Sequence, residues 1–308
     1  MTQEPVDTSN TSNRMRMAPA FNFLSIMPWW LITLLFLGLI IAYQIVTNDQ
    51  YTTIFLAVGK GIRVTVTVTV FAYLMAITIG LFVGLGRVSS NFLANNAASF
   101  YVEVVRGIPM LVLLMYIAFV GVPLLINGLN AFGEWLVTLG IAGFGTSLAE
   151  LNSRTKVCLP FTGGVESGVC IELFNNTVRV IIGLGVAYGA FSAEIWRAGI
   201  ESIEKGQMEA ARSLGMSYFQ AMRYIILPQA VRRVLPALGN DFVAMVKDSS
   251  LVSVLGVQDI TQLAKLYAAS TFLFFQTYSI LAFIYLVITI MLTRFVRWIE
   301  RRLRQDRR

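Results

Sequence analysis

The strongest constraint on this chain is a series of long apolar runs separated by short polar stretches. Between Ile62 and Leu85 the lone charge is Arg63, at the margin. A bilayer core is crossed by about 20 mostly apolar residues in helix. Lipid offers backbone groups no partner, so such runs close their own hydrogen bonds as helices. The spans expected are Trp29–Val46, Ile62–Leu85, Ala97–Val120, Val178–Ala198, Val231–Val257 and Thr271–Phe295. Charged residues make up 13% and hydrophobic residues 56%, whereas a soluble domain carries about 25% charge. The expected class is an all-α polytopic membrane protein of about six transmembrane helices.

Lys and Arg fall in alternate connections. Arg14 and Arg16 precede the first span and Arg87 follows the second. Arg197, Lys205, Arg212 and Arg223 lie between the fourth and fifth, and "RFVRWIERRLRQDRR" closes the chain. The positive-inside rule places all of these, with both termini, in the cytoplasm. The formal charge of +7 then reads as an anchor at an anionic leaflet rather than a nucleic-acid surface. Residues 1–28 are expected to be a disordered tail and 29–47 a separate first span. Residues 303–308 form a basic tail, and about 123–176 an outer segment. Within that segment Asn130–Leu151 is apolar. It is expected to be an interfacial or re-entrant helix, because one more crossing would put the Arg-rich tail outside.

The sequence contains no histidine, which removes the commonest general base and metal ligand. No catalytic residue or metal site is expected. "AVGKGIRVT" at 57–65 lacks the spacing of a phosphate-binding loop, so nucleotide-driven work would need a partner's site. Cys158 and Cys170 lack zinc-site spacing. On an oxidising outer face they would form a disulfide or remain two unpaired small residues.

One stretch, "EAARSLGMSYFQAMRYIILPQA" from Glu209 to Ala230, is too polar to span. It predicts a helix over Glu204–Met216 ended by Gly215, a natural C-terminal cap. Ser217 and Gln220 stand at capping-box spacing. They open a second helix, Tyr218–Leu227, expected to stop at Pro228. Ala210, Ala211 and Gly215 would present a small face. Locally, that face suits either a docking protein or lipid headgroups.

Charges inside spans point to function because lipid makes them costly. Glu103 and Arg106, like Glu194 and Arg197, are spaced to pair along a helix, and Glu194 is also a candidate cavity residue. Asn240 and Asp241 follow Pro236 and Gly239, the pattern of a broken helix at a midplane site. Asp241 there would hold a substrate ammonium. Lys247 and Asp248 would pair with each other or with a neighbouring subunit, gating the path, or Lys247 would take a carboxylate. Gly80/Gly84 and Gly185/Gly189 have the spacing of close helix packing.

Glu209-Ala210-Ala211, Gly215, Ile225, Leu227 and Pro228 together resemble the "EAA" loop of permease subunits of binding-protein-dependent ABC importers. "YVEVVRGIPMLVLL" and "LPALGNDFVAMVKDSSLVSVLGV" are similar to the polar amino-acid branch of that family (histidine, glutamate/glutamine, arginine, opine). The resemblance covers about 59–302. It implies a type I importer permease fold in a bacterial inner membrane, with those seven residues coupling to an ATPase. The implied partners are ABC ATPase subunits carrying ATP and Mg, a second permease subunit, an outer solute-binding protein and a polar amino acid. The chain itself would bind no cofactor. The alternative class is a secondary transporter or channel without an ATPase.

Overall fold

The computed structural model describes residues 29–139, 156–159, 169–172 and 175–305. Twelve α-helical segments follow one another among these residues: α1 Trp29–Thr47, α2 Asp49–Gly59, α3 Gly61–Val88, α4 Phe92–Gly107, α5 Met110–Tyr116, α6 Val122–Thr138, α7 Asn176–Glu201, α8 Lys205–Ser213, α9 Tyr218–Ala221, α10 Leu227–Asp248, α11 Ile260–Thr271 and α12 Phe274–Gln305. Short π turns, Ile117–Gly121 and Met222–Ile226, join α5 to α6 and α9 to α10, and a 3₁₀ turn, Ser249–Leu255, follows α10. An antiparallel hairpin, β1 Lys156–Leu159 and β2 Val169–Glu172, lies between α6 and α7. The all-α expectation thus holds for the bundle, with this hairpin added in the insertion.

Four described stretches are long and apolar enough to cross a membrane: Asp49–Val88, Met110–Thr138, Asn176–Glu201 and Phe274–Arg302. The first expected span is helical as α1, but its apolar stretch, Ile32–Thr47, is shorter. The fifth is helical as α10. Arg232, Arg233, Asp241, Lys247 and Asp248 make it more polar than the others.

The third expected span, Ala97–Val120, is corrected. Helix α4 ends at Gly107, Ile108 and Pro109 are extended, and a new helical run starts at Met110. Proline restricts the residue before it to extended backbone, which breaks the apolar run in two. The apolar stretch then continues through Pro123 to Thr138. Residues 123–138 are therefore helix continuous with the stretch that begins at Met110. The same holds for residues 130–138 of the expected interfacial helix, while 140–151 lie outside the described residues. So do the tail at 1–28 and the last residues, 306–308.

Helices α3 and α7 form the centre of the bundle. A methyl group added at Gly80 would lie 2.5 Å from Ser192 Cβ, and at Gly84 2.8 Å from Trp196 Cβ. At Gly185 and Gly189 it would meet Met75 and Ile79 at 2.9 Å and 2.8 Å. Both glycine pairs thus allow the close approach that their spacing predicts. Contact positions rise together along both helices, so α3 and α7 run parallel. An odd number of crossings must then separate them, and Met110–Thr138 supplies one. Val68, Ala72, Leu114, Leu184 and Met245 are buried around this seam. A second core, Ile54, Val58, Ile260, Ala264 and Ile280, joins α2, α11 and α12. Phe36, Leu39, Phe71, Phe82 and Phe295 are exposed, as expected of side chains facing lipid.

Candidate functional site: a capped helical hairpin joined to a polar helix seam

The hairpin at 205–226 is built by local rules. Gly215 has φ +85, the left-handed backbone that closes α8. Its N–H bonds the Arg212 carbonyl at 3.0 Å, and the Met216 N–H bonds the Ala211 carbonyl at 3.2 Å. Those two bonds make a Schellman cap. Ser217 Oγ accepts from the Gln220 N–H at 3.3 Å, and Gln220 Oε1 accepts from the Ser217 N–H at 2.8 Å. The capping box read from the sequence is thus formed in both directions.

Two expectations change here. Helix does not stop at Pro228. It continues from Tyr218 through the π turn and Pro228 to Asp248. The widened turn lies immediately before the proline, where the ladder cannot use its missing N–H. Pro123 shows the same arrangement after Ile117–Gly121. The small outward face is also incomplete. Ala211 is buried, on the side of the hairpin that packs through Met208 on Ile203, Met222 and Ile226. Glu209, Ala210 and Gly215 are exposed. Beside them stand Leu214, 84% exposed, and Phe219, 72% exposed. Leu227 and Ile225 are half-buried at the base, and Pro228 is exposed.

From this hairpin α10 leads into a polar seam against α7. Tyr188 donates its hydroxyl to Asp248 Oδ2 at 2.7 Å. Ser192 Oγ donates to Asp241 Oδ2 at 3.4 Å. At the hairpin end, Arg233 donates to the Ser202 carbonyl and, at 3.2 Å, to Ser202 Oγ. Tyr73 closes the far side of α10, donating to the Leu238 carbonyl and packing its ring 5.0 Å from Phe242. Asp248 is therefore held by Tyr188 and not by Lys247, whose side chain is exposed. Adjacent positions on a helix point in different directions, which is why the Lys247–Asp248 pair does not form. Asn240 is exposed, outside the seam.

A cluster of charges locks the same end. Glu194 pairs with Arg197 at 2.7 Å, as expected, and also with Arg87 at 2.8 Å and Arg106 at 3.4 Å. Arg197 also holds Glu201 at 2.6 Å. The expected Glu103–Arg106 pair gives way to this cluster. Arg106 turns to Glu194 and lies over the Phe191 ring at 5.6 Å. Sequence alone does not single out Tyr188, Ser192 or Arg233, and it marks Arg87 only as a basic residue after the second span. Tyr188 and Ser192, one turn apart on an apolar helix, were a readable sign.

Among the described residues no group of His, Cys, Asp or Glu could hold a metal ion. Between α6 and α7, strand register sets Cys158 directly opposite Cys170.

A polytopic helical bundle with an exposed, doubly capped hairpin running into its polar centre defines a membrane transport subunit. The chain belongs to the family described as the binding-protein-dependent transport system inner membrane component, which matches residues 76–305. It is 31% identical over 245 residues to the glutamine transport system permease protein GlnP of Escherichia coli (strain K12), covering 80% of this chain and 92% of that protein. It is 47% identical over 125 residues to the probable glutamine ABC transporter permease protein GlnM of Bacillus subtilis (strain 168), 41% of this chain and 58% of that one. The solved structure of an amino acid ABC transporter with histidines superposes with a TM-score of 0.59 at 34% identity, covering 83% of this chain and 97% of its own.

Proposed function

We propose that the chain forms part of the pathway for polar amino acids in an ATP-driven importer of the inner membrane. The single observation that carries this reading is continuity. One helical run leads from the capped hairpin at Tyr218 to Asp241 and Asp248 in the seam. A push on the hairpin is thereby transmitted to the polar centre. Relatives named for glutamine and amino-acid transport support the substrate class.

In this account Glu209, Ala210 and Gly215, with Leu214 and Phe219 beside them, seat in a cytoplasmic ATPase that binds ATP and Mg. Ala211, Ile225, Leu227 and Pro228 fix the hairpin to the bundle. A second permease subunit and a solute-binding protein complete the assembly, and both termini lie in the cytoplasm. Asp241 and Asp248 receive the substrate ammonium when the seam opens and their bonds to Ser192 and Tyr188 break. Glu194, with its arginines, latches the inner end, and Asn240 and Lys247 flank the path. Outside, Cys158 and Cys170 form a disulfide, their two protons and two electrons passing to a disulfide-exchange oxidant. Cross-strand backbone spacing in such a hairpin suits the bond.

Co-purification tests the coupling. The wild-type chain is expected to bring down its ATPase, and Glu209→Lys or Gly215→Val to lose it. Retention of the ATPase by both well-folded variants would contradict the assignment of the hairpin.

A further inference from the structure

An open cavity of about 540 Å³ lies where α4, α7 and α10 meet at the hairpin end. Its charged walls are Arg106, Arg197, Arg233 and Glu194. Their pairing is uneven. Arg197 is satisfied by Glu194 and Glu201, at 2.7 Å and 2.6 Å. Glu194 is shared by three guanidiniums, the loosest being Arg106 at 3.4 Å with its side chain 44% exposed. Arg233 is exposed and, among the described residues, donates only to the neutral carbonyl and hydroxyl of Ser202. Two cations with free donors therefore face one cavity, while its single carboxylate is already saturated. Ala198, Gly199 and Ala237 floor the space and keep it open.

We infer that this cavity is an anion site that takes the carboxylate of an amino acid, through Arg106 and Arg233, on the hairpin side of the bundle. The inference rests on the permease reading above and names a step within it. Arg233, Ala237 and Asp241 follow one another at four-residue spacing, so they share a stripe of α10. The stripe is acidic at Asp241 and basic at Arg233, about 12 Å further along at ~1.5 Å per residue. An α-amino acid carries its ammonium and carboxylate on one carbon, far closer together than that. The two ends of the stripe are therefore used in turn: the ammonium is held first at the carboxylates, and the carboxylate is then drawn to the arginines. Guanidinium forks suit a carboxylate, to which they bond in parallel pairs.

The test uses the permease–ATPase complex purified without nucleotide, read by thermal unfolding. The probe is a mixture of N-acetylated L-amino acids, which keep the carboxylate and lack the ammonium. The mixture is expected to raise the wild-type midpoint in a saturable manner. Arg233→Gln and Arg106→Gln should each weaken half-saturation about tenfold or more, and Arg233→Lys should recover part of it. If Arg233→Gln fails to assemble, Arg106→Gln and Arg233→Lys carry the comparison. A wild-type complex unmoved by the mixture overturns the inference, as does an equal response from the glutamine variants. A phosphatidylglycerol-dependent rise that needs Arg233, with none from the mixture, also overturns it and assigns the cations to a lipid phosphate. ATPase-dependent uptake tests the permease reading without reference to these arginines.

Discussion

Arg87 Nη1 lies 2.8 Å from Glu194 Oε2, although 107 positions separate the two residues in sequence. The contact ties the end of α3 to α7, and Arg106 adds the end of α4. Both partners are largely sheltered, at 15% and 27% side-chain exposure. Glu194→Gln keeps the shape and removes the charge, leaving three guanidiniums to repel one another. The expected cost is about 2 kcal/mol, seen as a lower thermal midpoint of the purified chain. Glu201→Gln, at the exposed edge of the cluster, should cost under ~1 kcal/mol.

Gly215 should tolerate asparagine better than alanine. Nothing lies within 4 Å of a methyl group built there, so its φ of +85 is the whole obstacle. Alanine in that backbone costs about 1–2 kcal/mol, whereas asparagine enters it more readily. Coupled ATPase activity is expected to fall in the order Gly, Asn, Ala. Ser217→Ala removes one half of the capping box, with an expected loss of about 1 kcal/mol. Hydrogen exchange of the 218–226 amides should rise in that variant.

The two cysteines should be silent to alkylation until reduced. Denatured protein treated with a maleimide–polyethylene glycol is expected to stay unshifted without reductant and to gain two increments after reduction. Two increments before reduction would sink the disulfide.

Asp259 predicts a pH signature. It caps α11 through the Gln262 N–H at 2.8 Å and is 2% exposed, facing Tyr285 and Lys265. Burial raises its carboxyl above the ordinary range, against bonds from Gln262 and Thr261 and the charge of Lys265. A carboxyl raised on folding contributes stability that is full at pH below its unfolded value. That contribution is lost as pH rises through the folded value. The midpoint of the wild type relative to Asp259→Asn should therefore fall as pH rises from about 4. A difference between the two that stays constant, or moves in favour of the wild type, over that interval would contradict this.

Local rules made much of the hairpin readable. Gly215, Ser217 and Gln220 act on neighbours a few residues away, so their roles follow from spacing. The glycines of α3 and α7 were likewise visible as periodic small residues. The stop expected at Pro228 fails for a reason that Pro123 shares. Pro123 and Pro228 end a helix by local rules, but each sits behind a π turn that lets the helix continue. Gly107 and Pro109 mark a break that the apolar continuity of 97–120 hides. The seam is different in kind. Tyr188 meets Asp248 across 60 positions and Ser202 meets Arg233 across 31. Pairing by nearest spacing gave Asp248 to Lys247 and Arg106 to Glu103 because sequence separation hides such neighbours.

The most direct test is uptake of labelled amino acids into proteoliposomes holding this chain, its partner permease and ATPase, and the solute-binding protein. The account predicts accumulation that requires ATP and disappears when the ATPase cannot hydrolyse it or when Glu209 is reversed to lysine. Accumulation that persists at full rate without hydrolysis would contradict it.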